Sequence, residues 1–236
     1  MEKHFGPEIV EATIGGQLVR DVKAATATII VTAPVHELHT DPVEMAKYIN
    51  KPILIRTRAQ WIAAFGNHKA GYTAGWVGDA IFDQDKGKGV GTLEVINIFD
   101  PATHQVAALP DPAAISNLDV LGSIDAAGNA TGLKHAYGTY QRFGWFSKFV
   151  SCPGFTLMTC VRDELEVSNN KIKARVYIDT PVGVTAQDVV TARGPTGAFD
   201  LQTNSRRLIP VWPYMEAVDT ENAGQTILEP YSATML

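Results

Sequence analysis

Short apolar, β-branched runs alternate along the chain with stretches whose apolar residues recur at helical spacing. This alternation predicts strands and helices in succession. Residues 27–32 (Ala-Thr-Ile-Ile-Val-Thr) fit a buried strand, which Ala33-Pro34 ends. Thr40-Asp41-Pro42 opens a short helix over 43–49, with proline near its first turn. Residues 51–56 (Lys-Pro-Ile-Leu-Ile-Arg) read as a strand. Thr57 then caps a helix over 58–65, and Gly66 closes it. A further helix over 73–83 contains Gly75 and Gly78, which weaken it and are explained by close packing. Residues 85–91 form a flexible turn, and 91–99 alternate as a strand should.

Residues 107–117, with Pro110 and Pro112, read as a linker and a domain boundary. Beyond it, Thr131 caps a helix over 132–143 that Gly144 ends. Residues 145–151 form a short strand, and Thr156 caps a helix over 157–167. Residues 171–179 form a strand with Ala174, Val176 and Ile178 on one face. Thr185 caps a helix over 186–192, and 206–212 form another strand. Strand–helix alternation over 145–212 implies right-handed crossovers and a mostly parallel α/β sheet. Residues 1–25 read as an arm. Phe5, Gly6, Pro7, Glu8, Ile9, Val10 and Glu11 can form a short strand, which Pro7 confines to an edge or an exchanged position. Gly15-Gly16 breaks that segment. The expected plan is therefore an arm (1–25), an α+β region (26–106), a linker (107–117) and an α/β core (118–236). Nothing near Glu229-Pro230-Tyr231 reads as a finished terminal element, so a fragment or truncated frame is expected.

A length of 236 residues fits one large domain or two small ones. With 45% hydrophobic and 19% charged residues, the chain can bury a globular core. The net charge of -5 argues against a nucleic-acid surface, which needs clustered Lys and Arg. Only Arg206-Arg207 and residues 171–175 cluster, both in strand-like runs. Cys152 and Cys160 are too few for a disulfide scaffold and lack a Cys-x-x-Cys spacing, so a reducing compartment is expected. The first residues show no apolar signal region, and no run is long enough to span a membrane.

Candidate chemistry is sparse. The turns at 122–125 and 151–155 should lie beyond strand ends, where α/β sheets usually work, yet both are chemically bland. Gly87-Lys88-Gly89-Val90-Gly91-Thr92 resembles a phosphate loop only in composition, because Gly89 stands where Ser or Thr should follow the lysine. His36-Glu37-Leu38-His39 is one residue short of a zincin spacing and has no third ligand. His4, His68, His104 and His135 have no inferable partners. Asp163, Glu164 and Glu166 read as a solvated helix face, not as paired acid and base. Ser123 and Ser205 lack a nucleophile-elbow context. Cys152, before Pro153-Gly154, is either a thiol at a strand end or a small buried hydrophobe. Asn129-Ala130-Thr131 matches a glycosylation triplet, a weak signal without a secretory leader. The aromatics Trp61, Phe65, Trp76, Phe82, Trp145, Phe146, Phe149 and Trp212 are spaced as core residues, without interleaved basic residues. No catalytic, cofactor-binding or metal set emerges.

Several stretches in order resemble contractile tail sheath proteins of myophages and prophages. They are residues 4–11 and 25–34, then Pro52-Ile53-Leu54-Ile55 leading into residues 61–66. Further on come Asp119-Val120-Leu121-Gly122, residues 128–133, Phe143-Gly144, Cys152-Pro153-Gly154-Phe155, residues 174–181 and residues 205–213. The resemblance runs over nearly the whole chain. It implies a structural protein of the virion tail, made in the host cytoplasm, and not an enzyme. It implies a subtilisin-like core without a catalytic triad and helical assembly around a tail tube. Contraction triggered at a baseplate would then drive the tube through the bacterial envelope for genome ejection. It further implies that neighbouring subunits exchange strands, with residues 5–11 as the N-terminal arm and Gly15 and Gly16 as its hinge. Family members continue past residues 229–232 into a C-terminal domain and arm. Neither cofactor nor nucleic-acid partner is implied. The competing reading is a cytoplasmic α/β enzyme or small-ligand module with a site near Cys152 to Gly154 and Ser123.

Overall fold

The computed structural model describes residues 26–83, 92–194, 197, 199, 201–203, 205–218 and 226–229. Strand β1 (Thr26–Val31) leads through two single-turn helices, α1 (Val35–Leu38) and α2 (Pro42–Met45), into β2 (Pro52–Ile55). Helices α3 (Arg58–Phe65) and α4 (Ala74–Phe82) precede β3 (Thr92–Asn97). A small hairpin, β4 (Gln105–Val106) with β5 (Leu109–Pro110), is followed by α5 (Asn117–Leu121), a 3-10 helix over Gly132–Gly138, and α6 (Thr139–Phe143). Then come β6 (Phe149–Ser151), α7 (Thr159–Ile172), β7 (Val176–Asp179), α8 (Ala186–Ala192) and β8 (Leu208–Val211). An antiparallel pair, β9 (Met215–Val218) and β10 (Thr226–Glu229), follows.

The central sheet has the order β2-β3-β1-β6. β1 runs parallel to both β3 and β6, while β2 pairs antiparallel with β3 at the edge. β7 and β8 pair in parallel, with Val176 opposite Leu208. Arg175 joins this pair to the rest: the Val150 amide donates to its carbonyl at 3.0 Å, and its own amide donates to the Lys148 carbonyl at 2.8 Å. The result is a mixed, mostly parallel α/β sheet ordered β2-β3-β1-β6-β7-β8. β6 lies beyond 107–117 in the chain yet pairs directly with β1, so that segment connects elements of one sheet.

Both faces of the sheet are covered, as parallel strands require. Along β1 the side chains alternate between two apolar layers. Ala27, Ile29 and Val31 pack with Trp61, Phe65, Val77, Ile81 and Val95 from α3, α4 and β3. Ile30 faces the other layer with Ile96, Leu133, Val150, Leu165, Val176 and Ile178.

Local chemistry fixes several boundaries where the sequence predicts them. The Thr57 hydroxyl accepts the Gln60 amide at the start of α3, and Thr185 makes a reciprocal capping box with Asp188 at α8. Gly75 and Gly78 answer to close packing: a Cβ on Gly75 would lie 2.2 Å from the His68 Cα, and one on Gly78 would lie 2.4 Å from Trp61 Nε1. Other boundaries shift. α7 begins at Thr159, not 157, because the buried Thr156 hydroxyl instead donates to Asp179 Oδ2 at 3.0 Å and accepts the Asp179 amide at 3.1 Å. α7 also runs on to Ile172 and ends at Lys173 with φ 61°, which shortens the strand expected over 171–179 to its second half. The helix expected over 132–143 divides into a 3-10 segment and α6. The helix over 43–49 is one turn, and the strand over 145–151 keeps only its last three residues. β9 and β10 lie where no strand is expected from the sequence. The turn expected over 85–91 lies outside the described residues.

Candidate functional site

The thiol of Cys152 is fully buried in the core layer beneath β6, and burial pushes its pKa well above the ordinary thiol range. A thiol held protonated in an apolar layer is not a nucleophile. Ser123 lies on an exposed loop, where its amide donates to the Thr131 hydroxyl at 2.9 Å. Among the described residues no general base is hydrogen-bonded to either side chain. Near this loop, Ser116, Asp119 and His104 come together, but in the wrong order for a triad. The carboxylate sits in the middle, taking the Ser116 hydroxyl at 2.6 Å and facing His104 Nε2 at 3.5 Å. His104 Nδ1 accepts the Asp100 amide at 2.9 Å, so the ring is the Nε2–H tautomer and has no free base nitrogen. Partial burial raises the pKa of Asp119, but the hydrogen bonds from Ser116 and the His104 ring outweigh it and hold the group below its ordinary value. This cluster caps α5.

The carboxylates of α7 diverge, as expected, but only Asp163 lies on the solvated face that the sequence suggests. Glu164 pairs with Lys134 at 2.6 Å and accepts from Tyr137 and Ser168, whereas Glu166 accepts the Thr203 hydroxyl at 2.9 Å. Asp163 faces solvent beside Arg162. His36 and His39 do not converge: His39 stacks on Tyr48 at 4.2 Å and contacts the Ala64 carbonyl, while His36 tilts over Phe99. Among the described residues no three His, Cys, Asp or Glu side chains cluster as metal ligands. No described helix is long and apolar enough to cross a membrane. Residues 87–91 of the glycine-rich segment lie outside the described residues, as do Phe5 to Glu11, Gly15 and Gly16.

The main polar assembly inside the fold is Glu94 on β3, fully buried. Its carboxylate accepts the Thr28 hydroxyl at 2.7 Å, the Thr139 hydroxyl at 2.6 Å and Arg142 Nη2 at 2.9 Å. Because the Thr28 proton goes to Glu94, Ser147 donates in its contact with Thr28. Arg142 also donates to the His135 carbonyl. The network ties β1, β3, α6 and the approach to β6 together. It is structural.

Two features face outward with unmet capacity. β2 and β8 stand at the ends of the sheet, each paired on one side only among the described residues. Beside β8 lies an open cavity of about 510 Å³, lined by Glu166, Asn170, Arg175, Ser205, Arg206 and Arg207. It unites the two basic clusters visible in the sequence. The sequence reading places both clusters inside strand-like runs, whereas in the structure Arg175 and Arg206-Arg207 stand just before β7 and β8.

No protein-family model matches the chain. Over 97% of its length the chain is similar to the tail sheath protein of Burkholderia phage BcepMu, 26% identical across 298 aligned positions. The chain spans 59% of the length of that curated relative. The resemblance read from the sequence is thus shown, and it supports a structural role of the phage tail sheath kind.

Proposed function

We propose that this chain is a subunit of a contractile phage tail sheath, assembling helically around a tail tube in the virion tail. The observation that carries the reading is similarity to a tail sheath protein over nearly the whole chain. The fold is in keeping with it: an α/β body with both sheet faces covered, sheet edges open among the described residues, and no convergent catalytic set among them. Residues 5–11 act as an arm that adds a strand to a neighbouring subunit, with Gly15-Gly16 as its hinge. Such augmentation draws affinity from backbone hydrogen bonds and tolerates sequence change. The core is subtilisin-like in topology and moves as a nearly rigid body when the baseplate triggers contraction, which drives the tube through the envelope. Cys152 is fully buried in the core, which takes away one of the two side chains on which the enzymatic alternative rests.

Negative-stain electron microscopy of the purified protein tests this reading. Hollow striated tubes are expected. Deleting residues 1–16 should abolish the tubes while leaving thermal unfolding of the core unchanged. Ordered tubes from the deletion variant would refute the arm assignment, and dispersed particles from the intact protein would refute assembly.

A further inference from the structure

The described fold gathers unpaired positive charge in one place. Arg175 immediately precedes β7, and Arg206 and Arg207 immediately precede β8. The strands are parallel with Val176 opposite Leu208, so the step before that register sets Arg175 beside Arg207. The Val176 amide donates to the Arg207 carbonyl at 2.9 Å, which fixes this adjacency. Neighbouring strands lie about 4.8 Å apart, and like charges facing each other across them are destabilising unless something answers them.

Nothing in the described fold does. Arg207 is spent internally, donating to the Lys173 carbonyl at 2.9 Å. Arg175 and Arg206 are exposed and have no ion pair among the described residues. Glu166 shares the cavity but takes the Thr203 hydroxyl and no arginine. The lining contains no apolar side chain, unlike a site for a hydrophobic small molecule. Arginine forks match carboxylate and phosphate geometry alike. Glu166 adds a negative charge to the lining, which disfavours a doubly charged phosphate and favours a singly charged carboxylate.

We propose that the arginine-lined cavity beside the open edge of β8 docks a carboxylate-bearing surface of a second copy of this chain. Charge complementarity supports that occupant. The chain carries 25 acidic against 20 basic residues, so another copy carries carboxylates in excess, whereas the lining of this cavity joins Arg175, Arg206 and Arg207 to Glu166 alone. The inference rests on the assembly reading above and adds to it a side-chain contact that needs no exchanged strand.

The test is self-association of the intact chain by sedimentation velocity, at about 50 mM and about 500 mM salt, for wild type and for R175E/R206E. Wild type should associate in a salt-sensitive way. The charge reversal should weaken association at least tenfold at low salt and remove most of the salt dependence. Circular dichroism and thermal unfolding of the variant should match wild type, because both side chains are exposed. R175Q/R206Q, which removes charge without reversing it, should fall between the two and serves as the readout if the reversal unfolds the protein. Wild-type association with unchanged strength in both variants overturns the carboxylate site and leaves the sheath reading standing. A wild-type chain that stays monomeric at every concentration overturns both. Saturable binding of inorganic phosphate that leaves association untouched also overturns the proposal, by assigning the cavity to a small anion.

Discussion

Removing Arg142 should unbalance the core more than removing any exposed ion pair. Glu94 has no solvent exposure, and Arg142 Nη2 is its cationic partner at 2.9 Å. Breaking a buried pair by deleting one member typically costs about 3–5 kcal/mol, because the remaining charge is stranded. Two features reduce the cost here. The Arg142 side chain keeps 31% exposure, and the Thr28 and Thr139 hydroxyls still donate to the carboxylate. The low end, about 3 kcal/mol, is therefore expected for Arg142→Ala. In a domain of this size each kcal/mol moves the unfolding midpoint by about 2–4 °C, so the shift should be roughly 6–12 °C. Urea unfolding followed by fluorescence of the buried Trp61 gives the free energy, and calorimetry gives the midpoint. Replacing both partners, as in Glu94→Leu with Arg142→Met, should recover a large part of the loss, since no unpaired charge remains. An Arg142→Ala protein within about 0.5 kcal/mol of wild type, the range of ordinary surface substitutions, would show that the network does not hold the sheet together.

Gly78→Ala should destabilise by about 1–3 kcal/mol, because its Cβ would meet Trp61 Nε1 and Arg58 Nη1, and thermal unfolding reads this directly. Thr185→Ala removes the capping box of α8 and should cost about 1 kcal/mol in urea unfolding, whereas Thr156→Ala should leave the α7 cap intact and lose the contact to Asp179 instead. His135 is buried next to Arg142, and burial first, then the arginine charge, lowers its pKa to about 4. The folded pKa lies below the unfolded value near 6.5, so the unfolded chain binds the proton first. Stability is fully present above pH 6.5 and is lost as pH falls toward 4, by up to roughly 3 kcal/mol. A His135→Gln protein should lack that component, and identical pH profiles for the two proteins would contradict the assignment.

Much of the fold was legible because local chemistry and tertiary demand agree. β1 is a β-branched run buried along its whole length, as a strand covered on both faces should be. α3 and α8 start at threonines whose hydroxyls find their partners within the first turn. Where a residue had a distant partner, local reading failed. Thr156 looks like a cap, but Asp179, on the neighbouring strand, claims its hydroxyl. Glu94 looks like the solvent-facing residue of an alternating strand, yet helices cover both faces and the side chain is buried among hydroxyls and a guanidinium. The pattern shows which positions are polar, but a buried polar group is defined by partners the pattern does not contain.

The same limit explains the candidate site. Catalysis concentrates perturbed groups in a cleft, and such groups leave motifs because a few residue types must stand at fixed spacing. Assembly works through edges and charge placed on a surface, and many sequences supply those equally well. Here Arg175 and the Arg206-Arg207 pair each look like an ordinary hydrophilic lead into a strand. Only the parallel pairing of β7 with β8 brings them side by side, at the edge where the sheet stops. Among the described residues Arg175 and Arg206 have no ion pair, and the one carboxylate in the lining, Glu166, takes the Thr203 hydroxyl. A contact of this kind is written in strand register and charge, which the linear sequence does not display as a motif.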